Sequence, residues 1–312
     1  MNFLSLLAGK RAVRLLTLAG AMTAVLMAGC AHLEQKEREL VFRIEPGQAR
    51  WFGGMPQGVQ EFNLPIPGKA EHIHAIWWPA RDPQAPAMLY LHGARWNITG
   101  QMFRIEQLHE FGFSVLAVDY RGFGKSAGEL PSEQTVYEDA RIAWERLTQL
   151  QPDAGKRYIY GHSLGGAVAV DLAAALSDAA DGRDNPTEAN KAKSRLPANG
   201  LIIESSFTNL ADMARSLSYG WLPVQLILSQ KFDSAEKIAK VRMPTLLVHG
   251  TSDRYVPAHF SKTLYELATA PKKLLLVEGA THNNSMRVGS DQYRAALDDL
   301  FGLGQGKLSL AR

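Results

Sequence analysis

Three residues in a fixed chain order carry the chemistry this sequence can perform. Ser163 lies in Gly161-His162-Ser163-Leu164-Gly165-Gly166, Asp253 in His249-Gly250-Thr251-Ser252-Asp253, and His282 in Glu278-Gly279-Ala280-Thr281-His282. A serine hydroxyl is a poor nucleophile at neutral pH. It needs an imidazole to take its proton, and the imidazole needs an acid to hold its orientation. The glycines on either side of Ser163 remove bulk from a turn that a nucleophile can occupy only in strained backbone geometry. The helix expected from Gly166 onward directs free N–H groups and a positive dipole end toward an oxyanion forming there. The backbone donors for that oxyanion are expected from Leu164, next to the nucleophile, and from Ala94 in His92-Gly93-Ala94, the loop after an apolar strand.

The sequence has nine histidines, and only His282 follows the final expected strand in a Gly-rich loop. His92 and His249 stand at strand ends, His162 is the variable residue of the Ser163 turn, and His109 and His259 fall in expected helices. Glu204, at the end of another strand, is the rival acid. Asp253 is preferred because it sits one strand before the loop that bears the base. His72 and His74 share a strand face, but no third ligand lies nearby, so both are expected as exposed strand residues rather than metal ligands.

Each candidate requires a strand that delivers it and a helix that carries the chain back. From residue 86 the sequence supplies that alternation: apolar runs at 87–91, 114–118, 158–160, 201–203, 245–248 and 274–277, separated by helical patterns such as Phe103 to Phe111 and Val136, Ala140, Ala143, Trp144 and Leu147. Continuous apolar strands between helices imply a mostly parallel sheet covered on both faces, an α/β fold. Residues 62–65 and 72–78 alternate enough to be antiparallel strands around the Pro65-Ile66-Pro67-Gly68 turn. Two stretches break the pattern. Residues 181–199 are polar and read as a loop insertion, whereas about 207–240 contain Trp221, Leu222, Leu226, Ile227 and Leu228 and read as a small cap over the carboxyl edge of the sheet.

The first 29 residues are not part of that globule. Lys10, Arg11 and Arg14 precede an apolar run from 15 to 27, too short for a comfortable membrane span, and Met27-Ala28-Gly29 leads into Cys30, the only cysteine. This resembles a bacterial lipobox, and the resemblance implies a signal peptide over 1–29, lipid attachment at Cys30 and a membrane-anchored protein of the bacterial cell envelope on the periplasmic side. Ala31 in place of Asp after the Cys points, by the same resemblance, to the outer membrane. Residues 30–50 are polar and are expected as a tether, with the folded domain over 51–312. The leader takes three of the 34 basic residues and none of the 31 acidic ones, so the remainder is balanced and offers no case for nucleic-acid binding.

Two further motifs fail on position. Gly124-Lys125-Ser126 lacks the earlier glycine of a P-loop, where Asp119 stands instead. Gly122-x-Gly124-x-x-Ala127 precedes Pro131, so no helix start is placed to receive a pyrophosphate.

His92-Gly93, Asp119-Tyr120-Arg121-Gly122-Phe123-Gly124-Lys125-Ser126, Gly161-His162-Ser163-Leu164-Gly165-Gly166, His249-Gly250-x-x-Asp253-x-x-Val256-Pro257 and Gly279-x-x-His282 together resemble the α/β-hydrolase superfamily over about residues 86–301. They look most like its lysophospholipase-like and serine-aminopeptidase-like branch. The resemblance implies an α/β-hydrolase fold and a Ser163-His282-Asp253 triad that cleaves carboxylic esters, with neither metal nor organic cofactor, acting on a small-molecule or lipid-like ester. Where relatives often carry small residues after His-Gly, this chain has Arg95 and Trp96. With Trp221 and Leu222 of the cap they are expected to shape an apolar acyl pocket of restricted depth, favouring short to medium acyl chains. An aminopeptidase or amidase would need a fixed acid in the cap to grip a substrate amine, and none stands out. A non-enzymatic envelope protein would have no use for an intact triad.

Overall fold

The computed structural model describes residues 22, 23, 25, 27–181, 197–219 and 223–304. Most of the expected leader, nearly all of the stretch 181–199, and Trp221 and Leu222 lie outside the described residues. Helix α1 covers residues 27–42. No helix among the described residues is long and apolar enough to cross a membrane.

Eight strands form one sheet: β1 (Gln60–Pro65), β2 (His72–Trp78), β3 (Ala87–Leu91), β4 (Ser114–Val118), β5 (Arg157–His162), β6 (Gly200–Glu204), β7 (Thr245–Gly250) and β8 (Lys272–Val277). Their spatial order is β1-β2-β4-β3-β5-β6-β7-β8; β2 pairs antiparallel with both β1 and β4, and every other pairing is parallel. The helices that return the chain are α2 (Ile98–Glu110), α3 (Glu133–Leu150), α4 (Leu164–Asp181), α8 (His259–Leu267) and α10 (Ser290–Phe301), with the four-residue α9 (Ser285–Val288) before the last. Between β6 and β7, where the cap was expected, the chain forms α5 (Leu210–Ala214), a π turn (Arg215–Tyr219), α6 (Val224–Ile227) and α7 (Ser234–Ile238).

Residues of β3, β4, β6 and β7 are all buried, as parallel strands covered on both faces must be. The two-residue period then sorts side chains into two cores. Leu89, Leu91, Ile159 and Leu247 face α3, α4, α7 and α8, while Met88, Tyr90, Tyr160 and Leu246 face α2 and α10.

Three local expectations are corrected. Helix α2 begins at Ile98 rather than near 103, because the Asn97 side chain caps it by accepting the Thr99 N–H. Helix α4 begins at Leu164, directly after Ser163, and not at Gly166. His74 is not an exposed strand residue: it is buried, with Nδ1 3.1 Å from Asp119 Oδ2 and Nε2 3.0 Å from Glu61 Oε2.

The polar stretch 30–50, expected as a spacer, is docked from Glu37 onward. The Glu37 carboxylate accepts the Ser229 N–H at 2.9 Å, the Ser229 hydroxyl at 2.7 Å and the Gln230 N–H at 2.8 Å. Arg38 Nε donates to the Pro131 carbonyl at 2.8 Å, and Phe42 is fully buried with its ring edge-on to Phe123 and Phe232.

Beneath the carboxyl ends of β5 and β6 lies a buried polar cluster. Glu204 accepts hydrogen bonds from Tyr160 at 2.7 Å and Tyr293 at 3.3 Å, and Arg104 Nε stands 3.8 Å from its other oxygen. Arg104 also donates to Gln101 at 2.7 Å, and both members of the ion pair are buried. Removing one partner of such a pair strands the other charge. Arg104→Met should therefore lower stability by about 3–5 kcal/mol. Adding Glu204→Gln should recover most of that loss, as read from urea unfolding; equal destabilisation in the single and double variants would show that the charges are not coupled.

Candidate active site

Parallel strands bring the loops that follow them to one edge, and the three sequence candidates follow β5, β7 and β8. Ser163 directly follows β5 with φ of 55°, in the left-handed region that non-glycine residues avoid. Its N–H donates to the Glu204 carbonyl at 2.9 Å, and its own carbonyl accepts from Gly166 N–H and the Ser206 hydroxyl, each at 2.9 Å. The flanking glycines are required by contact. A Cβ on Gly161 would come 2.2 Å from the Gly165 carbonyl oxygen, and one on Gly165 would come 2.1 Å from that of Leu91. The turn is thus wedged between its own first helical turn and the end of β3.

Asp253 and His282 are joined directly. Nδ1–H of His282 donates to Asp253 Oδ2 at 2.7 Å, which leaves Nε2 as the proton acceptor. The other Asp253 oxygen accepts the Tyr255 and Val256 N–H groups, each at 2.9 Å. Burial alone would raise the pKa of this carboxyl. Hydrogen bonds from His249 and His282, with the Val256 N–H, outweigh it and hold the group well below the ordinary carboxylate range. Among the described residues the His282 side chain is bonded to Asp253 and not to the Ser163 hydroxyl; contacts of this kind tighten in the transition-state complex.

Two histidines passed over in the sequence support this pair. His249 Nε2 stands 2.8 Å from the Val256 carbonyl and 3.3 Å from Asp253 Oδ2; a carbonyl only accepts, so the proton is on Nε2 and Nδ1 accepts from Ser261 at 2.6 Å. His162 Nε2 likewise donates to the backbone carbonyl of His282 at 2.9 Å, fixing the loop that carries the base. The variable position of the elbow is therefore a strut between two catalytic loops. No pattern in the sequence marks it, because the contact spans 120 residues.

Glu204, the rival acid, is turned away into the buried cluster with Tyr160 and Tyr293. The loop after β3 passes directly over the elbow: a Cβ on Gly93 would lie 3.0 Å from the Ser163 Cβ and 3.2 Å from the His162 carbonyl oxygen. Glycine is needed for this approach, and it brings the next residue, Ala94, beside Ser163. From below, the Asp119 carboxylate accepts the Ile98 N–H at 2.7 Å and steadies the far end of the same loop.

The expected pocket residues divide. Arg95 has φ of 75°, and its guanidinium pairs with Glu45 at 3.0 Å. Trp96 packs edge-on against Trp51, ring centroids 4.8 Å apart. Trp221 and Leu222 are outside the described residues, and Cys30 is exposed on α1. Among the described residues no group of His, Cys, Asp and Glu is arranged to hold a metal ion. The two cap acids beside the cleft between α5 and α7 are already engaged, since Asp212 accepts from Thr208, Asn209 and Arg215 and Asp233 caps α7 through the Glu236 N–H.

Comparison with known proteins agrees with this geometry. Residues 88–296 match the model of a family described as the alpha/beta hydrolase family. A protein of Mycobacterium tuberculosis named only as uncharacterized is 37% identical over 228 residues, covering 70% of this chain and 72% of the relative. Lysophosphatidylserine lipase ABHD12 of Danio rerio is 33% identical over 205 residues, covering 61% of this chain and 49% of its own length, so the chain spans about half of that relative. Among solved structures, the Pyrococcus furiosus esterase PF2001 superposes with a TM-score of 0.60 at 18% identity, covering 82% of this chain and 95% of that one, a likeness of fold.

His162 also predicts an acid response. Burial first, then the charges of Arg104 and His282, push its pKa well below the ordinary imidazole value, so it is neutral when folded. The unfolded imidazole takes up a proton near pH 6.5, so the stability contributed is full above about 6.5 and is lost as pH falls below it. Wild-type protein should lose stability between about pH 7 and about pH 5 in urea titrations. His162→Gln should lose measurably less; parallel losses in the two proteins would assign the acid response elsewhere.

Proposed function

The chain belongs to the alpha/beta hydrolase family, and on that premise we propose that it is a serine hydrolase cleaving carboxylic esters through Ser163, His282 and Asp253. The observation that carries the reading is the 2.7 Å hydrogen bond from His282 to a buried Asp253, made at the same sheet edge as a serine in strained left-handed geometry. In the reaction Ser163 Oγ attacks the ester carbonyl carbon while His282 Nε2 takes its proton. The Ala94 and Leu164 N–H groups hold the resulting oxyanion. Collapse of the intermediate breaks the carbon–oxygen bond to the alcohol, which leaves with the proton from His282. Water, activated by the same imidazole, then hydrolyses the acyl-serine. Asp253 stays ionised throughout and stabilises the imidazolium. No step calls for a metal or organic cofactor.

ABHD12 is named as a lipase of a lysophospholipid and PF2001 as an esterase, which supports an ester, lipid-like or small, as the substrate. Trp96, with Trp221 and Leu222 of the cap, is assigned to the wall of the acyl pocket. An aminopeptidase reading would need an uncommitted cap acid, and beside the cleft the Asp212 carboxylate is taken by Thr208, Asn209 and Arg215 while Asp233 caps α7.

A fluorophosphonate probe should label one residue, Ser163, and Ser163→Ala should abolish both labelling and ester turnover. Asp253→Asn should keep the fold and lower kcat by about four orders of magnitude, since an amide accepts where the imidazole needs a partner for its N–H only weakly and favours the wrong tautomer. Ester hydrolysis that survives Ser163→Ala would remove the mechanism.

The lipobox resemblance assigns residues 1–29 to a cleaved leader and Cys30 to lipid attachment, giving a protein anchored in the bacterial cell envelope. Several acyl chains hold a protein at a membrane where one is marginal. Wild-type protein should sediment with membranes and enter the detergent phase of Triton X-114, and Cys30→Ala should stay in the aqueous phase. A Cys30→Ala protein that remains detergent-bound would tell against lipid anchoring.

A further inference from the structure

Five non-glycine residues among those described have a left-handed backbone: Arg43, Arg95, Ser163, Ser205 and Phe232. Such conformations cost of order 1–3 kcal/mol each and persist only where neighbours over-determine them. Ser163 and Ser205 belong to the elbow and the strand end it pairs with. The other three lie along one line of contacts, in which the chain N-terminal to the sheet crosses from the cap to the loop after β3.

That crossing is made of direct bonds. Arg95 N–H donates to the Phe42 carbonyl and Glu45 N–H donates to the Arg95 carbonyl, both at 2.8 Å, so the strained residue is gripped on both sides of its peptide plane. The Asn97 amide donates to the Gly47 carbonyl at 2.7 Å, Ala49 N–H to the Thr99 hydroxyl at 3.0 Å, and Trp51 Nε1 to the Gly100 carbonyl at 3.2 Å. The Trp51 ring packs on Trp96, and the Glu45 carboxylate on the Arg95 guanidinium. Every residue from 95 to 97, and the first helical turn after them, is thus held from outside by residues 42–51. The segment lies outside the residues that match the family, which begin at 88.

We infer that residues 42–51 act as a strap of positioning residues, holding the Arg95 backbone in its left-handed form so that the Ala94 N–H points at the developing oxyanion. The inference rests on the serine-hydrolase reading above. An arginine at φ of 75° does not keep this shape by its own preference, unlike a glycine. Ala94 is the residue immediately before it, so relaxation of Arg95 would swing the donor. Substrate contacts in the ground state do not depend on that donor, whereas the transition state does.

The experiment uses full-length protein and a p-nitrophenyl ester, with Trp51→Ala/Glu45→Ala as the weakened strap. Trp51 is 56% exposed and Glu45 lies outside the core, so folding should survive. The strap predicts that kcat falls about tenfold, a part of the roughly 100- to 1000-fold lost with a whole oxyanion donor, while KM stays within about twofold. A trifluoromethyl ketone that mimics the tetrahedral adduct should lose affinity by the same factor as kcat/KM. Trp51→Phe, which keeps the ring against Trp96, should retain most of the activity. The inference is overturned if the double variant turns over like wild type, if KM rises at unchanged kcat, or if the loss of kcat matches a loss of folded protein in urea titrations. Wild-type protein that neither hydrolyses the ester nor is labelled at Ser163 would remove the hydrolase reading and the strap with it; active wild type with an unaffected variant removes the strap alone.

Discussion

A backbone φ of 55° at Ser163 is held because its surroundings leave the chain nowhere else to go. The Glu204 carbonyl takes the serine N–H, Ser206 and Gly166 take its carbonyl, and Gly93 passes within contact of its Cβ. These neighbours belong to the ends of β3 and β6 and to α4. The elbow can therefore exist only when β3, β5 and β6 are in register, and the strain at one residue is borne by the hydrogen bonding of the whole central sheet. Glycines at 161 and 165 are conditions for that arrangement, since a methyl at either would have to displace backbone.

The electrostatics follow from depth. Asp253 is buried yet surrounded by donors, which keeps it charged and keeps the imidazole of His282 in one tautomer. His162, just as buried, has a partner for Nε2 and, among the described residues, none for Nδ1, and the Arg104 charge below it disfavours a second proton. Two imidazoles 4.8 Å apart are thus set apart by their surroundings, His282 paired with a carboxylate and His162 kept neutral and holding a loop.

The convergence of the loops that carry Ser163, Asp253 and His282 was legible because a parallel sheet turns chain order into spatial proximity: each follows an apolar strand, and each such strand ends on the same side. The preference for Asp253 over Glu204 rested on loop order, and the structure gives it a physical basis in the tyrosines and arginine that occupy Glu204. Helix starts were misjudged where a capping side chain, Asn97, or the elbow itself opened the helix earlier than the apolar pattern did. Phe42, Glu45 and Trp51 were not legible as neighbours of the catalytic loops. Their partners lie about 50 residues away for the loop after β3 and 192 residues away for Glu37 and Ser229, and contacts of that separation leave no periodicity in a polar stretch.

The sheet has two open sides, and both carry charge. On β8, Lys272 donates to the Glu266 and Ala268 carbonyls at the end of α8, and Lys273 pairs with Asp299 of α10. On β1, Glu61 is shared between His74 and Lys125, and Pro65 removes a backbone donor at the strand's end. Unpaired strand edges invite another chain to add itself, and lysines, charged pairs and proline are what discourage it. A second copy joining at either side would crowd these charges against its own, so self-association of this chain, and growth of its sheet into an aggregate, is disfavoured at the two places where an open α/β sheet is most exposed to it.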